Sequence, residues 1–228
     1  MTRSRSSRRA GEKLDAARFI AQNLPLTPVP GLPEIVLHTA HPGTGLMHWL
    51  ESQGESAEPP YWAYHWAGGL VLARFCLEHP DRIAGRCVLD LGAGSGLVGI
   101  AAAVAGASAV FAAEIDPHAR VALAMNARAN GVEVRLLDGD VLAGAPPLVE
   151  VVLVGDLFYN GDVARRTTAF LDRCLDAGIE VLVGDPFREH LPLDRLQVLA
   201  EYAVADVGDR RDGDGRRAAV FSFGPAPG

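Results

Sequence analysis

The chain is nearly devoid of lysine. Lys13 stands alone among twenty-one basic residues, the rest being arginine, a bias that fits a high-GC genome better than any particular chemistry. Cysteine is scarce as well. Cys76, Cys87 and Cys174 form no CxxC pair, which argues against a disulfide framework and reads as buried free thiols in a reducing, cytoplasmic compartment. The histidines are scattered, so no metal site is expected. No apolar run reaches the ~18–20 residues of a membrane span. The start, MTRSRSSRRAGEKL, lacks the apolar segment of a secretory signal, so Arg8-Arg9 is not read as an export signal. A solvated tail is expected there, with a transit peptide as the alternative. What is present is ordinary globular composition: 228 residues, 49% hydrophobic and 21% charged, enough for a full single-domain core and wrong for a disordered chain. The formal net charge of −7 argues against a nucleic-acid binder working by bulk charge. Residues 1–18 carry an excess of four positive charges, which leaves −11 on the remainder.

No internal repeat is visible. Residues 1–11 read as a flexible basic tail, 12–60 as an N-terminal extension and 61–228 as the main domain. In the extension, 12–23 has helical spacing, Pro25, Pro28, Pro30 and Pro33 break regular structure, 34–39 is a short strand and 40–60 a linker. A helix over 66–78 follows, weakened by Gly68 and Gly69. From residue 85 strands and helices alternate. Strands are expected at 87–91, 109–113, 133–137, 149–154 and 179–183, and helices at 97–105, 117–130, 164–177 and 193–200. Two last strands, 202–207 and 218–223, are joined by a Gly/Asp/Arg turn. The alternation predicts right-handed βαβ units and an α/β, doubly wound, Rossmann-like sheet of seven strands covered on both faces.

The strongest local signal is Val88-Leu89-Asp90-Leu91-Gly92-Ala93-Gly94-Ser95-Gly96. A buried strand runs into a turn of three glycines and then a helix, so backbone can approach a ligand closely. Asp90, two residues before the first glycine, disfavours a pyrophosphate and favours a cationic group such as an ammonium. Glu114 ends the second strand, 24 residues after Asp90, where dinucleotide folds place a ribose-binding acid. The pattern resembles the first motif of class I S-adenosylmethionine-dependent methyltransferases. That resemblance implies a cofactor site made of Asp90, Gly92, Gly94, Gly96 and Glu114, with Asp140 as the adenine-contacting acid. The alternative is tight turns and solvated strand-end acids.

The fourth strand runs into Gly155-Asp156-Leu157-Phe158-Tyr159. Ligands of open α/β sheets bind beyond strand carboxyl ends. The Asp-x-x-Tyr here resembles the signature of seven-strand protein-lysine methyltransferases, which implies Asp156 and Tyr159 as catalytic residues, Asp156 also touching the cofactor. The chemistry is consistent: a lysine ammonium must lose a proton before attack, a carboxylate can orient the amine, and an aromatic wall can hold the cation. Upstream, Tyr61-Trp62-Ala63-Tyr64-His65-Trp66 concentrates two of the three tryptophans. Trp66 is assigned to the methionine end of the cofactor, and Tyr61, Trp62 and Phe158 to the target-lysine channel. An aromatic staple under the sheet edge is the competing account, and His65 by itself reads as structural.

Taken with Glu-Ile-Asp-Pro at 114–117 and Val-Gly-Asp-Pro-Phe-Arg at 183–188, these segments resemble the electron transfer flavoprotein β-subunit lysine methyltransferases over nearly the whole chain, from about Phe19 to Phe223. Glu114 departs from the family's usual Asp. The resemblance implies an S-adenosylmethionine-dependent enzyme acting on that flavoprotein subunit; a monomer is expected, and charge and hydropathy argue against nucleic-acid and membrane partners. Segment 114–117 also resembles the ribosomal protein L11 methyltransferases, the alternative; a small-molecule methyltransferase and a non-catalytic cofactor-binding module are further rivals.

Overall fold

The computed structural model describes residues 16–54, 59–204 and 216–226. Residues 16–23 are helical (α1). A hairpin follows, β1 (Leu26–Val29) and β2 (Leu32–His38), paired antiparallel. The prolines expected to break this region instead shape it. The turn runs through Pro30-Gly31, with Gly31 at φ 77°, and a two-stranded ribbon has open edges where a missing N–H costs nothing. The segment expected as a linker contains α2 (Leu46–Ser52), which buries Leu46 and Leu50. Next comes α3 (Ala67–Glu78).

The main sheet begins with β3 (Cys87–Leu91), followed by α4 (Leu97–Val104), β4 (Ala109–Ala113), α5 (Pro117–Ala129), β5 (Arg135–Leu136), β6 (Val151–Gly155), α6 (Gly161–Asp176) and β7 (Glu180–Asp185). These five strands are parallel. Two antiparallel strands, β8 (Leu196–Val204) and β9 (Arg216–Phe223), complete the order β5-β4-β3-β6-β7-β9-β8. The helix expected over 193–200 is therefore a correction: only Leu193–Arg195 form a 3₁₀ turn, and the rest is β8. A register shift between Val198 and Ala200 interrupts the period-two alternation, and Leu193, Leu196 and Leu199 then mimic helical spacing. The third parallel strand shrinks from 133–137 to Arg135–Leu136. Residues 12–15 of the expected first helix, 205–207 of an expected last strand, and the turn between the last strands up to residue 215 lie outside the described residues.

Alternation divides the core in two. Val88, Val110, Val151, Leu153 and Leu182 pack with α3, α4 and the hairpin on one face. Leu89, Leu91, Val152, Val154 and Val183 pack with Phe170, Leu171 and Cys174 of α6 on the other. Such two-sided burial is why β6 reads Val-Val-Leu-Val without a polar residue. The hairpin is tied in by side chains after and within α5. Asn130 accepts from Val36 N–H at 2.9 Å and donates to its carbonyl at 2.7 Å, reproducing a strand's pairing.

Strand order reverses at β3: β4 and β5 lie to one side, β6 and β7 to the other. This is the switch point where a crevice opens in doubly wound sheets.

Candidate active site

Parallel register brings the candidate acids to one level. Leu91 pairs with both Ala113 and Val154, and Gly155 with Gly184. Gly92, Glu114, Asp156 and Asp185 therefore lie at or just past adjacent strand ends. Above them is a cavity of about 770 Å³. The glycine turn forms its floor. Gly92, Gly94 and Gly96 all have positive φ, and a Cβ on Gly92 would lie 2.5 Å from the Leu157 side chain, so only glycine fits the turn there.

The turn is held by acids. Glu114 accepts from Gly94 N–H at 2.8 Å with one oxygen, and from Ile115 and Asp116 N–H at 2.7 and 2.8 Å with the other. Burial pushes its pKa up, against the pull of those amides. Asp90 is buried beneath the first turn of α4, accepting from Gly99 N–H at 2.8 Å. Burial pushes its pKa up to about 7. Asp140 also lines the cavity, capping the 3₁₀ turn Val141–Ala143 through Leu142 N–H and pairing with Arg166 of α6. The carboxylates of the lining outnumber the cations: each of its arginines is matched to an aspartate, leaving Asp90, Glu114 and Asp116 in excess.

At the β6 and β7 end, Asp156 has φ 57°. Its Oδ2 accepts from Gly69 N–H at 2.6 Å, in the first turn of α3, and its Oδ1 accepts from the Arg188 guanidinium at 2.5 Å. Burial raises its pKa, opposed first by Arg188 and then by the amides of Gly69 and Gly68. Gly68 allows this approach. A Cβ there would lie 2.2 Å from the Gly184 carbonyl and 2.7 Å from Asp156 Oδ2. Gly68, which weakens α3 on propensity grounds, is what lets the helix N-terminus reach the carboxylate, whereas a Cβ on Gly69 would sit at an ordinary 3.8 Å from Asp156 Oδ2.

Aromatic rings frame the opening. Tyr61 lies 5.6 Å, centroid to centroid, from both Trp66 and Tyr159. Trp66 donates to the Tyr61 carbonyl at 2.8 Å and lies 5.8 Å from the Arg188 guanidinium carbon. Trp62 lines the cavity but is packed down among Ile20, Leu46, Leu50 and Ala119, over Gly94. Phe158 is a correction to the channel assignment: it is fully buried in the apolar layer with Phe170 and Val154. Leucine and phenylalanine point opposite ways beyond β6, and it is Leu157 that reaches the cavity. His65 contacts Thr39 Oγ1 at 3.1 Å, outside the cavity, and burial lowers its pKa.

Two curated relatives decide the family. The electron transfer flavoprotein beta subunit lysine methyltransferase of Rattus norvegicus is 36% identical over 172 residues, covering 73% of this chain and 68% of that one. The Homo sapiens protein of the same name is 32% identical over 227 residues, covering 96% and 86%. The chain belongs to the electron transfer flavoprotein beta subunit lysine methyltransferase family. It is a methyltransferase. A family model described as ribosomal protein L11 methyltransferase (PrmA) matches residues 72–153. The solved structure of a Pyrococcus horikoshii protein assigned as an RNA methyltransferase is 18% identical with a TM-score of 0.54, covering 75% of this chain and 92% of that one, a likeness of fold alone.

In this methyltransferase the site contains groups that the sequence reading leaves out: Arg188 and the amides of Gly68 and Gly69. Their signal was Val-Gly-Asp-Pro-Phe-Arg at the end of β7, one strand from Asp156. Only the parallel register says that the two strand tails meet. Among the described residues no cluster of His, Cys, Asp and Glu could hold a metal ion, and no helix is long and apolar enough to cross a membrane.

Proposed function

We propose that the chain transfers a methyl group from S-adenosylmethionine to the ε-nitrogen of a lysine on a folded protein, the β subunit of electron transfer flavoprotein. The observation that carries this reading is that Asp156 and Tyr159 line the same cavity as the glycine turn and Glu114. The donor set suits the cofactor. It has an excess of carboxylates for a cationic, hydroxyl-bearing molecule, and the backbone of the turn is exposed to close approach. Asp90 would answer the ammonium, Glu114 the ribose hydroxyls and Asp140 the adenine amine. Bound there, S-adenosylmethionine supplies an electrophilic sulfonium methyl.

The chain's own work is positioning. Tyr61, Trp66 and Tyr159 form a frame that packs on the alkyl stem of a lysine and attracts its charge. Asp156 accepts a hydrogen bond from the amine and aims its lone pair inward, an orientation that supplies rate without covalent chemistry. The rings also keep water from the reacting atoms. The chain's −11 beyond residue 18 favours a lysine among basic neighbours. The three free thiols suit a reducing cytoplasm.

The test is to incubate the protein with methyl-labelled S-adenosylmethionine and purified electron transfer flavoprotein, with ribosomal protein L11 as a parallel arm. Mass spectrometry should place methyl groups on lysine ε-nitrogens of the β subunit. Incorporation should fall as salt rises, because complementary charge steers capture. Label confined to L11, to an α-amine or to a small molecule overturns the reading. The L11 model's match ends at residue 153, before Asp156.

A further inference from the structure

We propose that Arg188 is a positioning residue that makes the site accept its lysine as the neutral amine, by fixing a positive charge beside Asp156. The inference deepens the lysine-methyltransferase reading and rests on it. Both oxygens of Asp156 are already hydrogen-bonded, one to Gly69 N–H and one to Arg188. An arriving ammonium therefore meets a matched ion pair, not a bare carboxylate. Asp156 keeps lone pairs to orient an amine, but its charge is spoken for.

The backbone is shaped to hold this pair. Among the described residues only Asp156 and Phe187 are non-glycine residues with positive φ, at 57° and 62°. One is a member of the pair and the other directly precedes Arg188. Such conformations cost energy and persist where packing enforces them. Phe187 is held edge-on to Phe221 at 5.4 Å and lies 4.7 Å from the Arg217 guanidinium. Arg188 N–H donates to Asp185 Oδ1 at 2.7 Å. The guanidinium thus stands on a pinned loop.

The titratable and charged groups of the lining around the amine position are Asp156 from the β6 tail, Arg188 from the β7 tail, and Tyr61, Tyr64 and Tyr159, with Asp185 buried behind Arg188 at 3.9 Å from its Nε. The first turn of α3 contributes amides only. The other ionisable side chains of the cavity come from β3, β4, α5, α6 and the segment after β5. Asp185 is fully buried, and burial with the nearby Asp156 charge raises its pKa to about 7. Asp185 is therefore a weaker counter-charge to an ammonium than its position would imply.

A fixed cation beside the amine lowers the pKa of the ammonium, so its proton passes to solvent before reaction. The amine lone pair then forms the N–C bond as the C–S bond breaks with its electron pair moving to sulfur. One positive charge disappears from sulfur and one appears on nitrogen. The methylated ammonium faces Arg188, sheds a proton to solvent and is ready to leave or react again.

Three proteins, wild type, Arg188→Gln and Arg188→Lys, are assayed for methylation of the flavoprotein β subunit from pH 6 to pH 10. Arg188→Gln should move the acidic limb of the kcat/KM profile alkaline by about one pH unit, a roughly tenfold loss at pH 7, and recover at high pH. Arg188→Lys keeps the charge and should keep the wild-type limb even at a lower plateau. A second readout does not use turnover. The β subunit carrying ¹³C-dimethyl-lysine at the target is bound with S-adenosylhomocysteine, and the lysine is titrated by NMR. Its pKa should fall on binding to wild type and Arg188→Lys, and fall less on Arg188→Gln. Equal loss at every pH in Arg188→Gln, or a bound-lysine pKa indifferent to residue 188, overturns the proposal. Absence of lysine methylation by wild type at every pH overturns the underlying reading instead.

Discussion

The side chain of Asn126 joins the N-terminal hairpin to the glycine turn. It donates to the Ser95 carbonyl at 2.9 Å and accepts from His38 N–H at 2.8 Å, and is itself fully buried. Buried amides and carbonyls are costly when left unpaired. Asn126→Ala strands one of each and should lower stability by about 2–4 kcal/mol, with weakened cofactor binding because Ser95 loses its tether. Urea denaturation and calorimetry measure the two effects. A stability change below about 1 kcal/mol would show that the hairpin and the turn are independent.

Asp90 makes the protein's stability depend on pH. Its pKa in the folded chain is raised from about 3.8 to about 7. A raised value means that the stabilising protonated form is complete below the unfolded pKa and is lost as pH rises through about 7. Asp185, also raised to about 7, acts in the same direction. Asp90→Asn retains an oxygen for Gly99 N–H and carries no charge. It should therefore raise the folding stability at pH 8, by an amount of order a few kcal/mol, while weakening S-adenosylmethionine binding. In wild type the ligand's ammonium favours ionised Asp90, so binding should release a proton near pH 7. Calorimetry in buffers of different ionisation enthalpy reads that release directly, and a buffer-independent enthalpy contradicts it.

Binding and chemistry separate at Asp156. Truncation to alanine would leave the half-buried Arg188 with no acceptor at this position, so the informative change is Asp156→Asn, which removes the charge but keeps an oxygen for the guanidinium. Turnover should drop by at least about tenfold, the lower end of what a positioning hydrogen bond contributes. S-adenosylmethionine affinity should stay within about threefold, less than one kcal/mol. Parallel losses of both would make Asp156 a part of the cofactor site.

Gly68 is required by the crossing of α3 over β7. Its missing Cβ would lie 2.2 Å from a backbone carbonyl, that of Gly184, and backbone cannot swing aside as a side-chain tip can. Gly68→Ala should cost about 3 kcal/mol, the upper range for overpacking. Glycine's low helix propensity predicts the opposite sign, a gain of up to about 1 kcal/mol. Thermal denaturation decides between the two.

Much of this molecule is local information. The β3 segment, three closely spaced glycines and the small-residue helix α4 form one continuous stretch, because a strand, a close-approach turn and a helix each leave their own mark in side-chain size and spacing. The apolar β6 and the acids ending β3 and β4 are legible for the same reason, as is the doubly wound order that alternation implies. Three things required the folded chain. The interrupted alternation of β8 hid a strand under helical spacing, since a single extra residue shifts every later side chain to the other face. Phe158 and Leu157 are equally apolar neighbours, and only the packing beyond β6 decides which enters the core and which meets the cavity. Asp156, Gly68, Gly184 and Arg188 come from segments as far apart as 120 residues, and their meeting depends on strand register and on how closely α3 crosses the sheet. Such contacts are set by long-range geometry, which leaves no period in the sequence, so Asp90 and Glu114 could be named from spacing, and Asp140 and Asp156 from a family resemblance, while the cation that governs Asp156 could not.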